Sequence, residues 1–277
     1  MHHLVVQAPD IPTPTLKALA KLTHASRIER IGEQAFRLRD AERHDQVAPF
    51  CAREQIDHAY VPQDRRLTDF ALAVMDMDST LITIECIDEI AELQGIKAEV
   101  ESITAAAMCG EIDYAESLRQ RVRLLAGMPQ SALESVYQER LRLSLGTERM
   151  LAEFRKHNIR TLLVSGGFSF FTERLKARLG LDASCANEPE IRNGTLTGRV
   201  VGTIIDGEGK ARELRRLRAA LGIDRSQIIG IGDGANDLAF LAEAGVSVGF
   251  HAKPTVRTAV MHCIDYVGLD GVIHLFV

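Results

Sequence analysis

Phe70-Ala71-Leu72-Ala73-Val74-Met75-Asp76-Met77-Asp78-Ser79-Thr80 is an apolar run that stops on two carboxylates. An apolar run without polar alternation reads as a strand covered on both faces, the habit of a parallel sheet between two layers of helices. Thr161-Leu162-Leu163-Val164 and Ile228-Ile229-Gly230-Ile231 repeat the style, and Val246-Ser247-Val248 and Asp265-Tyr266-Val267 read as shorter strands. Helical patterns at about 148–157, 168–179, 208–221 and 236–243 fall between them. This alternation predicts an α/β fold, a doubly wound Rossmann-like core. From Glu85 to Leu145 four helical segments follow one another with no strand between them. Such an insertion would cap the carboxyl ends of the strands, where open α/β sheets bind ligands. Asn193-Gly194, inside Glu190 to Thr197, is a two-residue hairpin signal.

Upstream the pattern is different. Leu4 to Val6 is apolar and ends before Pro9, and Leu16, Leu19, Ala20 and Leu22 recur at helical spacing. Two alternating stretches, Arg27 to Ile31 and Ala35 to Arg39, meet at Gly32 as a hairpin would. A helix over Val47 to Gln55 and a strand over His58 to Val61 complete a β-α-β-β-α-β order, the ferredoxin-like arrangement of a small α+β domain. Pro62 to Arg66 then reads as a polar linker. The expected division is residues 1–65 and 66–277, the latter with a core of 66–84 and 146–277 and a helical cap at about 85–145.

Two domains also suit a length of 277 residues. With 46% hydrophobic and 26% charged residues, the composition excludes wholesale disorder, collagen and coiled coil. The net charge of −5 and the lack of any like-charge run argue against a nucleic-acid or membrane-surface binder. Five scattered cysteines without a Cys-x-x-Cys pair predict reduced, mostly buried thiols rather than a disulfide framework or a zinc site. With no secretory leader and no spanning run, the chain reads as cytoplasmic.

The chemistry concentrates at the predicted strand ends. Asp76 and Asp78 would be costly near a core without a cation or a proton, although a bare Asp-x-Asp can also close a strand on a solvated turn. Gly232-Asp233-Gly234-Ala235-Asn236-Asp237 ends another strand and offers two more hard oxygen ligands of the kind magnesium takes. Its glycine spacing is not that of a dinucleotide-binding loop. Ser165-Gly166-Gly167-Phe168 follows the Thr161 run and is read as opening a helix, so its hydroxyl and N–H groups could hold a phosphate oxygen or simply cap that helix. Lys210 lies at another loop-to-helix junction, where a lone lysine is ordinarily solvated. Carboxylates, hydroxyl, ammonium and a metal are together the parts of phosphoryl transfer, which works by positioning and charge neutralisation.

In this order, the Asp76 run, Ser165-Gly166-Gly167-Phe168, Lys210 and the Asp233 loop resemble the four motifs of the haloacid dehalogenase superfamily of aspartate-dependent phosphatases. DMDSTLITIECIDEIA from Asp76, Met108, and YAESLRQRVRLL from Tyr114 are similar to the phosphoserine phosphatase branch. The resemblance implies Mg2+-dependent hydrolysis of O-phospho-L-serine, the last step of serine biosynthesis, through an aspartyl phosphate. It implies Asp76 as nucleophile, Asp78 as acid and then base, and Mg2+ held by Asp76, the Asp78 carbonyl and Asp233. Ser165, Gly166, Lys210 and Asn236 would hold the phosphoryl group, with Asp237 supporting the metal or Lys210. Glu85 would take the substrate ammonium and Arg121 its carboxylate, under apolar cover from Met108 and Tyr114. The chain departs from many relatives in lacking a proline at Leu145, before Gly146, and in carrying tyrosine at 114.

Another small phosphomonoester, transfer to an alcohol other than water, a phospho-accepting switch and an amino-acid sensor are the competing functions. Asp78 argues against the switch, which needs a long-lived acyl phosphate. For the first 65 residues the resemblance implies an ACT-like regulatory domain, with a dimerisation unit forming a homodimer as the alternative.

Overall fold

A strand buried on both faces needs an apolar residue at nearly every position, and in the computed structural model Leu72, Ala73, Val74 and Met75 have no exposed surface. The structure describes residues 2–109 and 111–277, the side chain of Met108 excepted.

The chain opens with β1 (His2–Gln7), α1 (Thr13–Leu22), β2 (Arg27–Arg30), β3 (Ala35–Arg39), α2 (Val47–Arg53) and β4 (Asp57–Pro62). These strands form an antiparallel sheet in the order β2-β3-β1-β4, the ferredoxin-like topology. Strand periodicity explains the unbroken apolar run in β1. Leu4 and Val6 pack with Leu16, Leu19 and Cys51 of the two helices, whereas Val5, on the other face, joins Ala59, Val61 and Phe70 in the main core.

The second sheet starts with β5 (Leu72–Asp76). The inserted helices α3 (Cys86–Leu93), α4 (Lys97–Met108), α5 (Tyr114–Leu124) and α6 (Ser131–Ser135) follow. Then come α7 (Thr147–Lys156), β6 (Arg160–Phe168), α8 (Ser169–Leu179), β7 (Ala183–Arg192), β8 (Thr195–Val201), α9 (Gly207–Leu221) and β9 (Ile228–Gly232). The chain ends with α10 (Leu238–Leu241), β10 (Val246–Phe250), α11 (Pro254–Arg257), β11 (His262–Ile264) and a 3-10 turn over Leu269–Leu275. The strand order is β11-β10-β9-β5-β6-β7-β8, parallel throughout except for the β7–β8 hairpin. Asn193 and Gly194 both take positive φ, 50° and 74°, as that two-residue turn requires. The hairpin also bonds to the cap, since Leu196 N–H donates to Met128 O at 2.8 Å and Gly127 N–H to Leu196 O at 2.9 Å.

Three expectations need correction. Ser165-Gly166-Gly167-Phe168 does not open a helix; β6 runs to Phe168, which pairs with Asn187 of β7, and α8 begins only at Ser169. Asp265-Tyr266-Val267 is not a strand. Its three consecutive N–H groups donate to the Asp57 carboxylate at 2.7, 2.9 and 3.2 Å, and the edge strand lies just before it, at His262–Ile264. The helix expected over 236–243 is a 3-10 turn, Ala235–Asp237, followed by the single turn α10. Asp57 is one of several ties between the sheets. Arg37 Nη2 donates to Phe276 O at 2.6 Å and Gln7 Nε2 to Gly271 O at 3.3 Å.

Candidate active site

Register decides what meets Asp76. β5 pairs Asp76 with Val164 of β6 and Met75 with Ile231 of β9, so Ser165 and Asp233 emerge beside it at the carboxyl edge. The chain leaves β5 for the β6 side and returns on the β9 side, so this edge is a topological switch point, where open α/β sheets bind ligands.

Lys210, in the first turn of α9, is fully buried and forms ion pairs with Asp76 and with Asp237 Oδ1, the latter at 2.8 Å. The other Asp237 oxygen accepts the N–H groups of Asp233 and Gly234, both at 3.0 Å, which fixes the Asp233 loop against the lysine. Thr80 Oγ1 donates to Asp233 Oδ1 at 2.9 Å. Asp76, Asp233 and Asp237 each present an oxygen within 4.8 Å of the others. One ammonium faces three carboxylates here. Burial, then Asp237, pushes Asp76 well above the usual carboxylate range, and the same two causes move Asp233 up to about 6. Burial alone would favour a neutral Lys210, but Asp237 and Asp76 outweigh it and hold the ammonium above its ordinary value. Buried negative charge in surplus, carried on hard oxygens, fits a divalent cation of the magnesium type.

Asp78 faces a different environment. One carboxylate oxygen accepts the Cys86 N–H at 3.0 Å and the other lies 3.3 Å from Ser165 Oγ, while burial raises its pKa. Ser165 Oγ in turn accepts the Gly167 N–H at 2.9 Å. Between the two aspartates and Glu85 the chain turns through Ser79, whose φ of 54° is rare for a side chain of this type. That turn lets Ser79 Oγ donate to Glu85 Oε1 at 2.6 Å. Desolvation in the cleft, then Asp78, pushes Glu85 up to about 8.

These groups line one cavity of about 450 Å³ roofed by the helical insertion. Asp76, Asp78, Glu85, Tyr114, Arg121 and Asn236 all face it, and Gly166 and Asp233 contribute to its floor. Ser165 and Lys210 lie just beneath, fully buried. Arg121 Nε is buried and has no hydrogen-bond acceptor among the described residues. A methyl group on Gly166 would collide with the Tyr114 hydroxyl, so that glycine lets core and cap approach. Met108 ends α4, and its side chain lies outside the described residues.

Some residues of the site escaped the sequence reading. Ser79 and Thr80 follow the acidic pair directly, and their hydroxyls could have been read as its supports. Asn187, almost fully buried, donates to Gly166 O at 2.9 Å and accepts from Ile205 N at 2.7 Å, tying the β6 end to the loop before α9. Its only signal was a polar residue beside an apolar strand. Lys253 faces the cavity, and its N–H donates to Asp233 O at 2.9 Å; nothing local marked it.

Residues 73–242 match the family model of the haloacid dehalogenase-like hydrolases, and residues 4–47 match a domain of unknown function. A phosphoserine phosphatase of Polaromonas sp. is 51% identical over 217 residues, 76% of this chain and 92% of that protein. The crystal structure of a HAD family hydrolase from Salmonella enterica serovar Typhi superposes with a TM-score of 0.90 at 30% identity, over 99% of this chain and 98% of that one. A probable phosphoserine phosphatase from Vibrio cholerae, solved without ligand, gives a TM-score of 0.87 at 33% identity, over 99% and 86% of the two chains.

Proposed function

This chain belongs to the haloacid dehalogenase-like hydrolases, and we propose that within them it is a phosphoserine phosphatase, hydrolysing O-phospho-L-serine to serine and phosphate as the last step of serine biosynthesis. One observation carries the reading: the cavity that exposes the Asp76 cluster also exposes a carboxylate, Glu85, and a guanidinium, Arg121, whose buried Nε has no acceptor among the described residues. A phosphate ester whose alcohol bears both an ammonium and a carboxylate complements all three.

Asp76 is assigned as nucleophile: its carboxylate oxygen bonds to phosphorus as the ester P–O bond breaks, which divides one hard displacement into two easier ones. Asp78, whose raised pKa favours the protonated acid, gives its proton to the departing serine oxygen. In the second half it takes a proton from water, whose oxygen then displaces Asp76 from phosphorus. The two aspartates need opposite protonation states at the start; burial raises both, Asp76 the more, so an ionised nucleophile depends on Lys210 and on the cation assigned below. Lys210 contacts Asp76 directly and favours its ionised form, whereas Asp78 has no cation in hydrogen-bond contact among the described residues. Ser165, Gly166, Lys210 and Asn236 are assigned to the phosphoryl oxygens, with Asp237 orienting Lys210.

Asp76 and Asp233, with the Asp78 carbonyl, are assigned as the ligands of Mg2+, which when bound would neutralise charge on the carboxylates and the phosphoryl group. Tyr114 and the inserted helices exclude water from the nascent acyl phosphate. The first 65 residues are assigned to regulation or to self-association. The described cysteines are all unpaired, but against the expectation of mostly buried thiols only Cys51 and Cys86 are buried, and no described helix is long and apolar enough to cross a membrane.

The deciding experiment is phosphate release from O-phospho-L-serine with magnesium, beside phosphothreonine and p-nitrophenyl phosphate, with EDTA and Asp76→Asn controls. Metal-dependent release that favours phosphoserine and disappears in Asp76→Asn is expected. Release without that preference would overturn the substrate, and no release from any ester would overturn the chemistry.

A further inference from the structure

A second cavity, of about 380 Å³, lies at the seam between the two sheets and has no part in the proposed reaction. His2 and His58 reach it from the ferredoxin-like sheet, Arg43 from the loop between β3 and α2, Arg65 from the connecting segment, and His262 from β11. No carboxylate lines it. Among the described residues, neither Arg43 nor Arg65 forms an ion pair, and no carboxylate faces either across the cavity. The nearest contacts of the two guanidiniums are not anionic. Arg65 Nη1 lies 3.1 Å from Nε2 of His262, and Arg43 sits over the Tyr60 ring with its carbon 5.3 Å from the centroid.

The result is a pair of guanidiniums, Arg43 exposed and Arg65 half-buried, beside three imidazoles held in their neutral form. Burial, with Arg65, His58 and Arg43 adding repulsion, pushes the His262 imidazole down to about 4, and burial with Arg43 and Arg65 lowers His2. Burial also lowers His58 and Arg65, and the one carboxylate acting on Arg65, Asp64, does not line the cavity. Two guanidiniums with no carboxylate facing them leave charge at the seam that an anion would pair.

We propose that this seam cavity binds a small phosphate-type dianion, inorganic phosphate or the head of a phosphomonoester, between Arg43 and Arg65, with His58 and His262 as further donors. A carboxylate is satisfied by a single guanidinium fork. Donors from two guanidiniums and two imidazoles on four different chain segments, all lining one cavity, instead match the three or four oxygens of a phosphate. Because the lining residues come from both units, the bound anion also ties the N-terminal sheet to the core.

No histidine lines the active-site cavity, so imidazole NMR signals separate the two sites. The full-length protein is titrated with pH in inorganic phosphate, in phenylphosphonate as a non-hydrolysable ester mimic, and in chloride at the same ionic strength. The expected result is a rise of about one pH unit or more in the midpoints of His58 and His262 with phosphate over chloride, lost in Arg43→Gln/Arg65→Gln. Phosphonate acting as well as phosphate shows that the site takes esters, and phosphate acting alone shows that it takes the free ion. Unchanged midpoints, an equal rise in chloride, or a rise that survives in the double variant would overturn the site. Should the double variant fail to fold, Arg43→Gln alone serves, because Arg43 makes no side-chain hydrogen bond among the described residues.

Discussion

Arg121→Gln separates recognition of the substrate carboxylate from the phosphoryl chemistry. In the structure Arg121 Nε is buried without an acceptor among the described residues. A carboxylate reaching the guanidinium would make two charge-assisted hydrogen bonds at about 1.5–3 kcal/mol each, so about 3–6 kcal/mol rests on the contact. At about 1.4 kcal/mol per factor of ten, removal of the fork lowers kcat/KM for phosphoserine by roughly two to four orders of magnitude. Phosphoethanolamine has the same ester and ammonium but no carboxylate, so its kcat/KM changes by no more than about threefold. The difference between the two losses is a coupling energy, and general damage to the cap cancels from it. Arg121→Lys keeps the charge without the planar fork and falls between the wild type and Arg121→Gln on phosphoserine only. Steady-state phosphate release with both esters gives all the numbers. Equal losses on the two substrates, or a loss below tenfold on phosphoserine, would refute the assignment.

Glu85, pushed up to about 8, holds an ammonium only when ionised, and that charge is lost as pH falls through its pKa. Accordingly kcat/KM for phosphoserine rises with pH to a limb at or below 8, as solvent contact in the cleft moderates the shift; a limb unchanged in Glu85→Gln rejects this. Lys210→Met leaves Asp76 and Asp237 facing each other without a cation and costs about 3–5 kcal/mol in urea denaturation, with magnesium restoring part of it. A loss under about 1 kcal/mol, or no magnesium effect, contradicts the charge surplus. Asp57 binds its proton more tightly folded, at about 6, than unfolded, at 3.8, so its contribution to stability is greatest below 3.8 and falls by about 3 kcal/mol as pH rises to 6. That slope is expected to vanish in Asp57→Asn. Asp57→Ala should in addition speed amide exchange at Asp265, Tyr266 and Val267, and unchanged exchange there counts against Asp57 as the tie.

What could be read from the sequence was whatever local pattern determines. Leu72 to Met75 announced a strand covered on both faces because burial on both faces demands apolar residues at every position. Asn193-Gly194 announced its hairpin because few other pairs take two positive φ values. The errors came where a distant group competes for the backbone. Asp265 to Val267 has the composition of a strand, but its N–H groups go to Asp57, more than two hundred residues earlier. Ser165 to Phe168 resembles a helix start, yet pairing with Asn187 carries it on as strand. In the site, Asp76 and Asp233 stood out as acidic residues at apolar strand ends, which need a reason, whereas Lys210, at a loop-to-helix junction where a lone lysine is ordinarily solvated, was singled out by the resemblance. The supports Thr80, Asn187 and Lys253 did not stand out, since only the folded register brings them to Asp233 and Gly166.

The two cavities invert each other electrostatically, and that inversion constrains how each is used. At the strand ends three carboxylates share one ammonium, so that site repels a phosphate dianion until positive charge is added; cation first and ester second is the order its electrostatics favour. At the seam two guanidiniums and three imidazoles have no facing carboxylate, so a dianion binds there without a metal. EDTA therefore distinguishes the two: it should abolish phosphate binding at the strand ends and leave the histidine shifts at the seam intact. If chelation removed both, the seam would depend on the metal-bound site, and its guanidiniums could not be the anion's principal partners.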